Sequence, residues 1–328
     1  MKFYDRKEAT ERINELGAQK SPFLFVIDYG MEHSYVSLLE EINKEEILYS
    51  FPSWNNSPEV AETHDADKVL WKTYPEAPEI YKRKFDIIQK YQNAGDSFLA
   101  NLTCRIPVHT NLDLRQIYMR SEAMYKLWFN TQFVCFSPEI FIRIENGIIS
   151  GYPMKGTIDA TLPQAEKILM SDEKEAAEHA TIVDLIRNDL SKIASEVCVP
   201  RYRYADRLHT NKGDILQTSS RIEGKLPADY RLHIGDIIFS QLPAGSITGA
   251  PKKRTVEIIN EAEDYDRGFY TGVMGICCDG QLESAVMIRY IEQENDRMFF
   301  KAGGGITARS RWKDEYEEVI QKAYVPIY

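Results

Sequence analysis

The chain has 328 residues, 43% hydrophobic and 27% charged, which is the composition of a globular protein with ample material for a core. Its 40 basic and 50 acidic residues give a net charge of −10 without a basic run, which argues against a nucleic-acid or anionic-membrane partner. The N-terminus carries no signal-peptide core, and no apolar run approaches the roughly 18 residues that span a bilayer. We therefore expect a cytoplasmic protein without a membrane segment. Its five cysteines show neither metal-ligand nor disulfide spacing and favour buried, reduced thiols.

The first part of the chain predicts short helices and strands in alternation. A helix is expected over 12–16, a strand over 23–27, and a further helix that ends before residue 94. Polar composition marks 53–66 as a surface loop. No repeat or linker divides the sequence, so we expect one compact unit.

The middle of the chain predicts consecutive antiparallel strands. Helical spacing fits 112–125, and strand-like runs follow at 127–136, 140–144 and 147–150. The polar stretch 201–213 is expected to be a second surface loop.

One lysine lies where a strand is expected to end. Lys155 stands between Pro153 and Gly156, in a position that suits a nucleophilic amine. The alternative is an ordinary solvated loop lysine, because most lysines are exposed.

Helical spacing over 172–194 places acids on an apolar stripe. Ile182 and Ile186 lie on this stripe, and Glu178 and Asp189 fall on it as well. Burying an acid is costly unless something compensates its charge. Either a cation accompanies these acids, or they sit at the edge of the stripe in water.

A further helix is expected to begin near Pro251, which suits a first helical position because its missing N–H is not needed there. It should carry Val256 and Ile259 inward. The preceding segment 245–250, which includes Thr248, is small and polar and leaves free N–H groups at a helix start. Such an end favours anions.

Three strands are expected at 269–278, 282–292 and 298–302. Asp279 and Gly280 join the first two, and this dipeptide is a strong hairpin signal.

A glycine triplet follows the last of these strands. Gly303, Gly304 and Gly305 let the backbone approach a ligand and offer consecutive N–H donors. A flexible loop explains the triplet equally well.

The terminal helix, expected over 313–324, places Glu315, Glu318 and Lys322 on one face. A glutamate followed four residues later by a lysine is also an ordinary surface ion pair.

Taken together, these segments resemble the chorismate-utilising enzymes, which include anthranilate synthase large subunits, aminodeoxychorismate synthase component I, and isochorismate and salicylate synthases. Order and spacing match from about residue 90 to the end. The matching segments are GDSFLANLT at 95–103, SPE at 137–139, PMKGT at 153–157, EHATIVDLIRNDL at 178–190, GSITGAPK at 245–252, AVMIR at 285–289 and AGGGI at 302–306.

The resemblance implies an α+β fold in which two large, mainly antiparallel sheets pack face to face with helices outside. Residues 1–90 would then be a short N-terminal portion of the same compact unit, and residues 91–328 the chorismate-binding catalytic domain. The larger relatives have a fuller first subdomain, which in anthranilate synthases carries a tryptophan feedback site, and no counterpart to that site is found here.

The resemblance also implies a magnesium ion and a set of ligands for it. Glu178 and Glu318 match the family's magnesium ligands, and Glu175 and Glu315 are expected to support them through water. Magnesium binds few carboxylates together with waters, which suits this set. A bound metal would also explain the acid on the apolar stripe.

Further positions match the residues that bind and transform the substrate, chorismate. Glu139 matches the general acid for the departing carbon 4 hydroxyl, and we expect burial to raise its pKa; the alternative is a surface acid after Ser-Pro. The positions that bind the substrate are Arg289, Lys322, Tyr270 and the glycines Gly303, Gly304 and Gly305.

Lys155 separates the branches of the family. Anthranilate and isochorismate synthases usually have alanine at this position, whereas aminodeoxychorismate synthases have lysine. The implied mechanism is attack of the Lys155 amine on carbon 2 with loss of the carbon 4 hydroxyl, followed by attack of ammonia on carbon 4. Thr248 also fits the ammonia-using members.

One position departs from the family. Where many members have histidine this chain has Gln217, which forms hydrogen bonds but does not carry a proton as imidazole does. No cysteine lies in a Gly-x-Cys-x-Gly elbow, so ammonia is expected from solution or from a separate glutamine amidotransferase subunit.

Three other functions compete with this interpretation. Anthranilate synthase is the nearest and would release pyruvate with an ortho-aminated product. A phosphate binder built on the 245–250 segment and the glycine triplet lacks any Gly-Lys-Ser/Thr or Gly-x-Gly-x-x-Gly loop. A non-catalytic interaction subunit would be expected to lose Lys155, Glu139 or the acidic ligands, and all are present.

Overall fold

The computed structural model describes residues 1–58, 69–210 and 213–325. In chain order its strands are β1 Phe3–Tyr4, β2 Phe23–Ile27, β3 Ser34–Leu38, β4 Ile47–Ser50, β5 Trp71–Thr73, β6 Leu99–Thr110, β7 Tyr125–Phe129, β8 Phe133–Ser137, β9 Ile140–Glu145, β10 Ile148–Gly151, β11 Met154–Asp159, β12 Ser195–Thr210, β13 Gly213–Lys225, β14 Gly249–Ala250, β15 Val273–Cys278, β16 Gln281–Val286, β17 Tyr290–Glu294 and β18 Arg297–Ile306. Its helices are α1 Arg6–Ala18, α2 Pro78–Asn93, α3 Leu114–Met119, α4 Ala165–Ser171, α5 Glu173–Leu190, α6 Ile234–Gln241, α7 Gly245–Thr248, α8 Lys252–Ala262 and α9 Trp312–Lys322.

The chain divides into two units, and each is assembled from three separate stretches of sequence. The first unit contains Met1–Leu39, Glu139–Ser246 and Val273–Val286. The second unit contains Glu40–Pro138, Ile247–Gly272 and Met287–Tyr328. The expected division into residues 1–90 and 91–328 stays a prediction.

The first unit is built on an antiparallel sheet with ten strands in the described residues. Its strands follow the order β1-β3-β2-β15-β16-β9-β10-β13-β11, and β12 also pairs with β13. Strand β2 lies between β3 and β15, and all five of its side chains are buried, in keeping with its continuous apolar sequence. Helices α4 and α5 lie against β11 and β13, and this arrangement places α5 beside the Lys155 strand.

The second unit is built on an antiparallel sheet with eight strands in the described residues. Its strands follow the order β14-β6-β18-β17-β8-β7-β4, and β5 also pairs with β6. Apolar side chains of this sheet pack with those of α2, α3, α8 and α9 in one core, which includes Leu102, Phe136, Ile258 and Val319. The core fixes α9 against β18, where the glycine triplet lies.

The expected α+β fold with two antiparallel sheets and helices is therefore confirmed. The hairpin at Asp279 and Gly280 is also confirmed, because both residues have positive φ and connect β15 to β16. Within the described residues, no helix is both long enough and apolar enough to cross a membrane.

Several predicted boundaries were wrong. The run 127–136 contains two strands, β7 and β8, because Asn130 adopts a left-handed conformation and turns the chain. The run 282–292 likewise contains β16 and β17, and Arg289 has positive φ between them. Residues 201–210 form part of β12 rather than a loop, since pairing with β13 compensates for their polar composition. The expected loop at 53–66 lies partly outside the described residues.

Local sequence signals explain where two of the helices begin. Asp5 and Glu8 form a reciprocal capping box at the start of α1. Asp172 caps α5 by accepting a hydrogen bond of 2.9 Å from the Glu175 backbone N–H. This cap fixes the first turn of α5, which carries Glu175.

Candidate active site

Lys155 lies in β11, beside an irregularity in its pairing with β13. Lys155 pairs with Thr218 and Thr157 pairs with Gln217, so Gly156 is an extra residue in β11. Gly156 has a φ of +75°, a conformation that glycine adopts without strain. Such bulges bend a strand and change the direction of a neighbouring side chain.

Lys155 forms an ion pair with Glu178 of α5. Its Nζ lies 2.7 Å from Glu178 Oε2, and the two side chains are 26% and 10% exposed. The predicted alternative of a solvated loop lysine is therefore wrong. Lys155 therefore compensates the negative charge of Glu178, one of the two acids on the apolar stripe.

Glu175 lies one helical turn before Glu178 and faces the same bulge. A Cβ atom added to Gly156 would stand 2.9 Å from Glu175 Oε2. A side chain at position 156 would therefore make the Glu175 carboxylate shift, in addition to straining the backbone. The first unit thus brings together Lys155, Glu175 and Glu178.

Glu139 precedes β9, and its Oε1 accepts a hydrogen bond from Ser246 Oγ in α7. Both residues line a cavity of about 30 Å³, which has room for about two water molecules. The polar side chains of its wall are those of Glu139, Tyr152, Asp189, Gln241 and Ser246. The proposed acid is thus half-buried and oriented by a hydroxyl group.

Asp189, the second acid of the apolar stripe, is also compensated. It is 5% exposed, and its Oδ1 lies 2.8 Å from Lys192 Nζ. The expected alternative, in which this acid sits in water, is wrong.

A buried histidine that the sequence reasoning missed follows Glu178. His179 is fully buried, and its Nε2 lies 2.6 Å from Ser220 Oγ. Burial, reinforced by the positive charge of Arg203, lowers the pKa of His179 to about 4. The imidazole is therefore neutral at pH 7 and fixes α5 to β13. Its place one residue after Glu178, towards the buried side of α5, was the available signal.

Gln217 lies in β13 opposite Thr157 of the bulged strand. Its Oε1 is buried and makes no hydrogen bond within the described residues. Gln217 thus presents a polar acceptor beside the Lys155 bulge.

In the second unit, the glycine triplet is part of β18 and not a flexible loop. Gly303, Gly304 and Gly305 pair with Thr103, Leu102 and Asn101 of β6. The pairing of β18 with β17 ends at Lys301, before the triplet. The triplet therefore lies beyond the end of the β17 ladder, where alternate backbone N–H groups can serve a ligand.

Helix α9 brings its acids to this triplet. Gly304 has no side chain, and a Cβ atom there would stand 3.5 Å from Glu315 Oε2 and 3.8 Å from Glu318 Oε1. Lys322 Nζ lies 2.7 Å from Glu318 Oε1 and donates a hydrogen bond of 3.1 Å to the Gly303 carbonyl. The expected ion pair is confirmed, and it is also tied to the strand.

Arg289 stands in a left-handed conformation, with a φ of +50°, between β16 and β17. Its guanidinium group lies 5.4 Å from the centre of the Tyr324 ring. Positive φ at a non-glycine residue costs energy and often marks functional sites. Tyr270 is 3% exposed, and its ring centre lies 5.8 Å from that of Tyr290.

Thr248 is fully buried, and its Oγ1 makes no hydrogen bond within the described residues. A pair that the sequence reasoning missed fixes the segment before it. Arg267 donates to the Ile247 carbonyl at 3.0 Å and lies 2.7 Å from Glu263, with both charged side chains almost fully buried. The spacing of an acid and an arginine four residues apart was the available signal.

Carboxylate oxygens suited to magnesium occur in both units, although no group of three or more potential ligands is assembled among the described residues. Glu175 and Glu178 supply two carboxylates in the first unit, and Glu315 and Glu318 supply two in the second. Glu315 is only 7% exposed, and burying a carboxylate is costly unless its charge is compensated. The donor chemistry therefore fits the expected metal, while the ligand set stays a prediction.

The described residues form an α+β fold in which glutamates of α5 lie beside β11 of one antiparallel sheet and glutamates of α9 lie beside β18 of the other. A sequence profile for the family described as "chorismate binding enzyme" matches residues 5–327. The chain belongs to the chorismate-binding enzyme family.

Relatives within the family carry different names. The chain is 45% identical over 317 residues to an uncharacterised PabA-like protein of Pasteurella multocida, covering 97% of this chain and 98% of that protein. It is 32% identical to anthranilate synthase component 1 of Acetivibrio thermocellus, covering 90% of this chain and 62% of the other. It is 33% identical to aminodeoxychorismate synthase component 1 of Salmonella typhimurium, covering 74% of this chain and 55% of the other.

A solved structure supports the same family. Anthranilate synthase component I of Streptococcus pneumoniae aligns with a TM-score of 0.70 at 25% identity, covering 92% of this chain and 79% of the other. An isochorismate synthase of Bacillus anthracis aligns with a TM-score of 0.72 at 19% identity, covering 97% of this chain and 87% of the other, and shows the fold alone.

Proposed function

We propose that this chain is an aminodeoxychorismate synthase component I, which aminates chorismate at carbon 4. The observation that carries the proposal is the placement of Lys155. Its side chain leaves a bulged strand, is only 26% exposed and meets a carboxylate of α5. An amine held in this way suits covalent catalysis, whereas a freely moving surface lysine does not.

The proposed reaction has two substitution steps. In the first, the Lys155 nitrogen forms a bond to carbon 2, the ring π electrons shift, and the bond from carbon 4 to its hydroxyl breaks. Glu139 gives its proton to the departing hydroxyl, which leaves as water. In the second, ammonia forms a bond to carbon 4, the electrons shift back, and the bond to the Lys155 nitrogen breaks, so that Lys155 leaves as a neutral amine. The ammonium group formed at carbon 4 returns one proton to Glu139. Chorismate and ammonia thus give 4-amino-4-deoxychorismate and water.

Other residues of the chain orient the substrate. Arg289, Lys322 and the Gly303–305 backbone are proposed to bind its carboxylates, and Tyr270 and Thr248 to line the site. Glu178 and Glu318, supported by Glu175 and Glu315, are proposed to hold magnesium. When bound, magnesium supplies positive charge for a substrate carboxylate.

The source of ammonia is proposed to be a separate glutamine amidotransferase subunit. Within the sequence, no cysteine occupies a nucleophile elbow of the Gly-x-Cys-x-Gly type. The product would serve para-aminobenzoate and folate synthesis in the cytoplasm.

A second candidate function is anthranilate synthesis. The relative from Acetivibrio thermocellus favours it, because that match covers 90% of this chain. Chorismate would then be aminated at the ortho position and pyruvate released. The presence of lysine at position 155 argues for the first candidate.

The test is to incubate the purified chain with chorismate, magnesium and an ammonium salt and to identify the products by chromatography and mass. Aminodeoxychorismate without pyruvate is the expected result. Anthranilate with pyruvate would replace the proposal by the second candidate.

The Lys155→Ala variant tests the covalent step. Amination at carbon 4 is expected to fall at least about 100-fold, since removal of a covalent nucleophile removes the first step. Lys192→Ala is the control, because Lys192 also pairs with an acid of α5. Unchanged amination in Lys155→Ala would remove the covalent mechanism.

A further inference from the structure

The Lys155 ammonium group lies beside the Glu178 carboxylate, where a divalent cation bound to that carboxylate would lie. The contact between Nζ and Oε2 is 2.7 Å, and the carboxylate side chain is only 10% exposed. Little water screens these charges, so they interact more strongly than an exposed pair. Strand β11 and helix α5 hold the two residues in place from different parts of the chain.

We infer that Lys155 is a built-in competitor for divalent cations at Glu178 and thereby sets the metal affinity of this carboxylate. The inference rests on the proposed function, in which Glu178 is a magnesium ligand. One carboxylate oxygen cannot serve an ammonium group and a divalent cation without bringing two positive charges close together. Such charges repel strongly where solvent screening is weak. The ammonium group therefore leaves Glu178 when a divalent cation binds there.

Glu175 strengthens this competition. Its carboxylate also faces the bulge at Gly156, so two acids one helical turn apart lie beside the same strand. Like charges at this spacing repel each other. When Lys155 is absent, the two acids retain their repulsion and lose the compensating ammonium group. The two carboxylates therefore bind another cation more tightly.

The exchange has a consequence for the proposed nucleophile. An ammonium group that donates to Glu178 is turned towards α5 and has no lone pair to offer a substrate. Departure from Glu178 removes this contact, and the nitrogen has a lone pair to offer once it has lost one proton. Occupation of the metal position would thus release the residue that the proposed mechanism needs.

The test measures metal binding without chorismate or turnover. The full chain is titrated with Mn²⁺, with the free ion followed by electron paramagnetic resonance, and with Mg²⁺ by calorimetry. Lys155→Ala and Lys155→Met are expected to bind both ions at least about tenfold more tightly than the unmodified chain. Lys155→Arg keeps the charge, and its affinity is expected to remain unchanged or to be weaker.

Lys192→Ala is the matched control. Lys192 forms an ion pair of 2.8 Å with Asp189 on the same helix, so this variant loses the same charge without touching Glu178. Its metal affinity is expected to change less than about twofold. Circular dichroism of each variant verifies that it is folded.

Three outcomes would overturn the inference. They are an unchanged or weaker affinity in both neutral Lys155 variants, an equal gain in Lys192→Ala, and no measurable binding to any of the chains. Product analysis is independent of these results. Tighter metal binding in the neutral Lys155 variants, together with no aminated product from the unmodified chain, would remove the proposed reaction and support the inference. Aminated product with unchanged metal affinity would support the reaction and overturn the inference.

Discussion

The two units pair a lysine with a glutamate at the same distance but in different surroundings. Lys155 and Glu178 of the first unit are separated by 2.7 Å, and their side chains are 26% and 10% exposed. Lys322 and Glu318 of the second unit are also separated by 2.7 Å, with side chains 47% and 52% exposed. Solvent screening weakens the exposed pair, so distance alone does not determine the strength of an ion pair.

The two pairs also arise in different ways. Lys322 follows Glu318 by one helical turn, so any helix over these residues brings them together. Lys155 and Glu178 meet only because β11 bulges at Gly156 and α5 lies beside it. The buried pair therefore depends on tertiary structure and is sensitive to changes in the strand.

The largest expected effect comes from Gly156→Ala, which changes the bulge beside the buried pair of Lys155 and Glu178. Left-handed strain should destabilise the chain by about 1–2 kcal/mol, and the added Cβ would displace Glu175, whose Oε2 lies 2.9 Å from its position. Misplacement on this scale can lower turnover about 100-fold. Urea unfolding measures the first effect, and turnover of chorismate measures the second.

The Gly95→Ala variant separates the effect of left-handed backbone strain from the effect of displacing Glu175. Gly95 has a φ of +83°, similar to that of Gly156, and no atom lies within 4 Å of an added Cβ. Destabilisation without loss of turnover is expected. If Gly95→Ala lost as much turnover as Gly156→Ala, the special role of the bulge would be contradicted.

Ser246→Ala is expected to have an intermediate effect. Ser246 donates to Glu139, and loss of this hydrogen bond removes one contact that orients the proposed acid. The value of kcat should fall about tenfold while KM changes less than about twofold, because orientation matters in the transition state. Steady-state kinetics with chorismate measures both.

Two further substitutions control this result. Ser246→Thr keeps the hydroxyl and should restore most of kcat. Ser195→Ala removes an exposed serine that donates to the Lys225 carbonyl and should change nothing. A loss in Ser246→Thr equal to that in Ser246→Ala would show that packing, rather than the hydrogen bond, is responsible.

The smallest effect is expected from Lys322→Ala. Because its pair with Glu318 is half exposed, removing the ammonium group should change Mn²⁺ affinity by less than about twofold. The same titration used for Lys155→Ala gives the comparison directly. Equal gains in the two variants would show that exposure does not distinguish the two pairs.

Features that depend on residues close together in the chain were predictable from the sequence, and features that depend on pairing between distant strands were not. The hairpin at Asp279 and Gly280 and the ion pair of Glu318 with Lys322 were predictable, because each depends on residues close in the chain. Strand β12 was not predictable, because its polar side chains are typical of a loop and only the pairing with β13 makes it a strand. The glycine triplet was ambiguous for the same reason: pairing with β6 makes it a strand.

The sequence by itself determined the order of the segments that match the family, the family they resemble and the residue types available for chemistry. Capping at Asp172, hairpin turns and helical spacing are local, and local physics is encoded in adjacent residues. Only the tertiary structure decided that Lys155 meets Glu178, that Glu175 approaches Gly156, and that Ser246 orients Glu139. These contacts join distant parts of the chain, and their geometry depends on strand register and helix packing, which no local pattern specifies.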